Sequence, residues 1–80
     1  MRLISDIAKE VRFTWRPVNY AAVPYLAAMG ALNDLNDQYG EDSAASVVAY
    51  FLSNATTWRG PDARRIKAEL NAMLKAHYNR

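Results

Sequence analysis

The chain has no cysteine, which removes disulfides and thiolate metal sites from the ways a small domain gains stability. It has a single histidine, His77, and neither a glycine-rich phosphate loop nor a Gly-x-Ser-x-Gly elbow, so an enzyme is the least supported class. The histidine falls near the end of the last predicted helix. With no carboxylate or serine placed in sequence to pair with it, a packing or capping role is expected over general-base chemistry. No catalytic residue and no cofactor is predicted. No apolar run reaches the roughly 20 residues that span a bilayer, and none follows Met1-Arg2 as a secretory leader would. No membrane association is expected, and the predicted location is the cytoplasm.

At 80 residues the chain fits one domain, residues 1–80, near the size where folding buries only about 60% of the surface the unfolded chain exposes. Ordering such a chain costs an entropy that burial barely offsets. Self-association, as a homodimer or other homo-oligomer, is therefore a reasonable way to gain core.

What is present reads as helix. Ser5 can cap a first helix with Asp6 in its first turn, and Ile4, Ile7, Ala8, Val11, Thr14 and Trp15 share one side at helical spacing until Pro17 stops the run. Pro24 suits the opening turn of a second helix, with Tyr25, Ala28, Met29, Leu32, Leu35 and Tyr39 as its stripe and Gly40 as its left-handed end. Asp42 or Ser43 caps a third segment, "AASVVAYFLSNATTW", apolar almost all round. Val47, Val48, Phe51, Leu52 and Ala55 should be the centre of the core. Gly60-Pro61-Asp62 starts the last helix, with Ile66, Leu70, Met73, Leu74 and His77 inward. The predicted fold is all-α, a compact bundle of about four helices with the third buried at its axis.

Asp34, Asp37, Glu41 and Asp42 gather in "DLNDQYGED", but an EF-hand needs an oxygen ligand at its fifth position and glycine at its sixth. Here these are Gln38 and Tyr39. A polar helix end explains the run, and no metal is predicted.

Positive charge is missing from the middle. Residues 17–58 contain no lysine or arginine and four acids. Arg2, Lys9, Arg12 and Arg16 precede them against Asp6 and Glu10, and six basic residues follow against Asp62 and Glu69, so the formal net charge of +2 conceals basic ends around an acidic centre. Lys9, Arg12 and Arg16 project from the first helix beside Phe13, an aromatic group suited to anchoring a partner or stacking on a base. The amino end of the last helix gathers Arg59, Arg64, Arg65 and Lys67, although a helix dipole disfavours cations there. Asp62 and Glu69 account for Arg65 by helical spacing. Arg59, Arg64 and Lys67 have no sequence-local acid. Either they pair with Asp37, Glu41 or Asp42 across the fold, or they bind an external anion at the Gly60-Pro61 turn.

"AVPYLAAM", "SVVAYFLSNATTWRG" and "ARRIKAELNAML" resemble a group of small proteins encoded by phages of actinobacteria, mycobacteriophages especially, over about Pro17 to Leu74. That group lacks an assigned activity, so the resemblance transfers no site residue. It implies an accessory phage protein acting inside a bacterium by binding host or phage macromolecules. The expected function is non-enzymatic binding of a protein partner through Arg59, Arg64, Arg65, Lys67, Lys9, Arg12, Phe13 and Arg16. Nucleic acid is the second choice, because the acid-rich middle would repel a duplex unless it faces away. Structural self-assembly is a third reading, if Phe13 and Tyr78 line one exposed patch.

Overall fold

The computed structural model describes residues 2–79. Four helices and one short hairpin follow in the order α1 (Ile4–Thr14), α2 (Val23–Met29), β1 (Gln38–Tyr39), β2 (Asp42–Ser43), α3 (Ala44–Ser53) and α4 (Pro61–Tyr78). The fold is mostly helical, with four helices as expected. The all-α expectation missed the hairpin, in which Gln38 pairs with Ser43 and Tyr39 with Asp42.

The difference arises just after α2. The leucines at 32 and 35 continue a helical stripe and both are buried, yet the helix ends at Met29. Local side chains take the backbone donors instead. The Asp37 carboxylate accepts the N–H groups of Asn33 at 2.7 Å and Asp34 at 3.2 Å, and Asp34 accepts that of Asn36 at 2.7 Å. Such bonds give the chain an alternative to the helical ladder. Gly40 accordingly lies in the two-residue hairpin link, at φ +61 rather than at a helix end. A positive φ is the demand that tight hairpin links make.

The other boundaries follow from local chemistry. Ser43 caps α3, its hydroxyl accepting the Ser46 N–H at 3.1 Å. Gly60 precedes Pro61 at φ +110, a conformation open essentially to glycine alone. Ser5 does not cap α1: the helix starts two residues earlier, with Leu3 at the cap position and no side-chain bond. The Ile4 and Ser5 N–H groups bond instead to the carbonyls of Asn33 and Leu32, each at 2.9 Å.

One core joins the elements. Ile4, Ile7, Ala8, Val11 and Trp15 face Leu26, Met29, Val47, Val48, Phe51, Ile66 and Leu70. Leu26, left out of the predicted stripe, is buried, whereas Leu52 is only partly covered. The third helix is a wall of this core rather than its axis. It packs chiefly on α2 and α4, which in turn both pack on α1, and it leaves Tyr50 exposed.

Candidate binding surface

Two tryptophans organise one end of the molecule. Trp15, just after α1, stacks on Trp58, two residues before the cap of α4, with ring centroids 5.2 Å apart and planes within 11°. Trp15 also meets Phe51, in the last turn of α3, edge-on at 6.3 Å. The carboxyl ends of α1 and α3 and the amino end of α4 therefore converge. Each tryptophan sits in the same tripeptide, Thr14-Trp15-Arg16 and Thr57-Trp58-Arg59, so the stack brings the segments bearing the exposed Arg16 and Arg59 to one end. This repeat was the available sequence signal for the surface.

Lys67 reaches the same place. Its ammonium donates to the Trp58 carbonyl at 2.6 Å and stands 5.9 Å from the Trp58 ring centroid. Burial, and then the positive charge of Arg59, hold its pKa below the usual lysine value. Lysine and arginine are thus near enough to repel. On α1, the Arg16 guanidinium lies 5.4 Å from the centroid of Phe13, whose side chain is 74% exposed. Arg12 lies one turn before Arg16, and Arg64 one turn before Lys67. Among the described residues, Arg12, Arg16, Arg59 and Arg64 enter no ion pair.

The acids that do pair come from the basic segments themselves. Arg2 donates to both carboxylate oxygens of Glu69, at 2.6 and 3.0 Å, and to Glu10 at 2.7 Å. Arg65 donates to Glu10 at 2.6 Å and Asp62 at 3.2 Å. These bonds from Arg65, then Arg2, hold the Glu10 carboxyl below the usual glutamate range, and Arg2 does the same to Glu69. The network staples the amino terminus and α1 along α4. Arg65 thus belongs to structure, with Asp62 as expected and Glu10 in place of Glu69. Lys9 stands 3.9 Å from Asp6, a loose surface pair.

Among the described residues, the cluster makes no ion pair with Asp37, Glu41 or Asp42. Asp34 and Asp37 lie in the loop bonded to the amino end of α1, and Glu41 and Asp42 in the hairpin that feeds the amino end of α3. Each helix end named here is the opposite of the one near the tryptophans. With 11 residues in α1 and 10 in α3, the two ends stand about 15 Å apart. The unpaired arginines and the acids of the middle segment thus lie at opposite ends of the molecule, and Arg2 and the exposed Lys75 also reach the acidic end. Phe13 and Tyr78 are likewise at opposite ends, since α4 carries Tyr78 about 25 Å from its start, so they form no common patch.

A cleft of about 300 Å³ opens at the acidic end, with Arg2, Leu3, Asp34, Leu35, Met73 and His77 in its wall. His77 packs edge-on against Tyr78 at 5.3 Å, and its Nδ1 is buried without a hydrogen-bond partner among the described residues. Among the same residues no helix is long and apolar enough to cross a membrane, and no three histidine or acidic groups cluster to hold a metal ion. No family model, curated protein or solved structure matches the chain.

Proposed function

We propose that this is a non-enzymatic accessory protein that binds a protein partner bearing an acidic surface, using the end organised by Trp15 and Trp58. The observation that carries this reading is the contrast between two sets of arginines. Arg2 and Arg65 are fully engaged by carboxylates. Arg59 and Arg64, at the amino end of α4 where the dipole disfavours cations, have none among the described residues. No intramolecular ion pair offsets that placement, which supports an external anion as their partner. Arginine beside exposed aromatic surface is also the composition of interface anchors. The phage resemblance supports a site of action in the bacterial cytoplasm, on a host or phage protein.

Nucleic acid is the second reading, favoured by one observation. The four acids of the middle segment stand at the far end, so they would not oppose a duplex docked on the tryptophan end. A titration with two labelled probes separates the readings: an acidic peptide and an oligonucleotide of equal charge. Arg64→Glu should weaken the peptide complex, chiefly through association rate, while the oligonucleotide binds weakly and is lost near physiological salt. Tight oligonucleotide binding with a steep salt slope, abolished by Arg64→Glu in a folded protein, would make this a nucleic-acid-binding protein.

A further inference from the structure

From the placement of unpaired arginines and acids at opposite ends we infer that the chain is built to associate head to tail with further copies of itself, the tryptophan end of one copy docking on the hairpin end of the next. The inference rests on the reading of the tryptophan end as a binding surface and names its partner. The two ends are complementary in three respects. Arg12, Arg16, Arg59 and Arg64 are exposed and unpaired at one; Glu41 and Asp42 are exposed at the other, with no cation in the hairpin beside them. Each end also carries exposed aromatic surface, with Phe13 at 74% at the first and Tyr39 at 46% and Tyr78 at 64% at the second. Apolar contact inside a rim of opposite charge is the arrangement of a specific interface. Finally, the ends lie at opposite poles of α1 and α3, in a molecule 32 Å along its longest axis, so a copy docked at one pole leaves the other free.

The symmetry of the assembly follows. A patch that meets a different patch makes a heterologous contact, which repeats into open chains or rings and does not stop at a two-fold dimer. Because the attraction is between exposed charges, it weakens as the Debye length contracts from about 30 Å at 0.01 M salt to about 8 Å at 0.15 M.

Sedimentation of the full chain over a range of concentrations, at low and at physiological salt, tests this with two double variants. Arg59→Gln/Arg64→Gln spoils the tryptophan end and Glu41→Gln/Asp42→Asn the hairpin end, and the neutral replacements leave the two spoiled ends with no attraction for each other. The expected wild-type behaviour is a concentration-dependent ladder of species at low salt that collapses to monomer at high salt. Each variant alone should remain monomeric. An equimolar mixture should give a one-to-one dimer and nothing larger, because each copy keeps one working end: the intact tryptophan end of the second variant meets the intact hairpin end of the first. A monomeric wild type at low salt, a salt-resistant dimer, self-association by either variant alone, or failure of the two to combine would each overturn the inference. Retained binding of the acidic peptide by a monomeric wild type would confine the failure to self-association and leave the surface itself in place.

Discussion

Replacing Phe51 by alanine should come close to unfolding this protein. The ring is fully buried in the last turn of α3 and meets Trp15 edge-on. Truncation removes about 110 Å² of apolar surface, worth about 2.8 kcal/mol at 25 cal/mol per Å². The aromatic pair adds about 0.5–1.5 kcal/mol, and the total falls in the usual range of about 3–5 kcal/mol for such a change. A domain of this size has roughly 4–12 kcal/mol in all. At about 4–8 °C per kcal/mol, a fall in Tm of at least about 12 °C is expected, or no cooperative melt. Circular dichroism follows the helices and tryptophan fluorescence the Trp15–Trp58 stack, so both signals should move together. Phe51→Leu, which keeps most of the volume, should lose less than half as much. A Phe51→Ala variant melting within a few degrees of wild type would show that α3 is not a wall of the core and that the Trp15 stack does not depend on it.

Asparagine should separate the two glycines with positive φ. At Gly40, φ +61, it should be nearly tolerated, whereas at Gly60, φ +110, substitution by Asn, Ser or Val should each cost about 1–3 kcal/mol in a urea melt; no atom lies within 4 Å of an added Cβ at either site, so equal costs would contradict a backbone origin. The lowered pKa values of Glu10 and Glu69 mean that their folded form binds fewer protons than the unfolded chain. Their contribution is present above the ordinary glutamate value of about 4.5 and is lost as pH falls through the lower folded values. Glu10→Gln should therefore lower stability at pH 7 and shrink the further loss on going to pH 3; an unchanged acid limb would remove the network from the account. Arg64→Glu should leave Tm unchanged or raised, because it takes an unpaired cation from the positive end of the α4 dipole. A clear fall in Tm would mean that Arg64 serves the fold.

Helix content and most of the core were legible because period and punctuation agreed: Pro17, Pro24, Ser43 and Gly60-Pro61 bound the segments, and the stripes of α1 and α4 are buried except at Thr14 and His77, which are half-buried. The stretch from Gly30 to Ser43 was not legible. There Leu32 and Leu35 keep a helical period in a loop, and only the contest between Asp34 and Asp37 side chains and the backbone ladder decides the outcome. The candidate surface was half readable. Uneven charge located Arg59, Arg64 and Lys67, but which arginines are neutralised depends on α1 lying along α4, so the Arg2–Glu10–Arg65–Glu69 network joins positions 55 and 67 residues apart. No local spacing rule reaches that far.

The division of labour proposed for these charges is that unpaired arginines bind and paired arginines hold the fold. Its most direct test compares Arg59→Glu/Arg64→Glu with Arg2→Gln for both melting temperature and the affinity of the acidic peptide. The first variant should lose binding at least tenfold with its Tm preserved, and the second should lose Tm with its binding preserved. The reverse pattern, or a loss of both properties in both variants, would contradict the division of labour proposed for these charges.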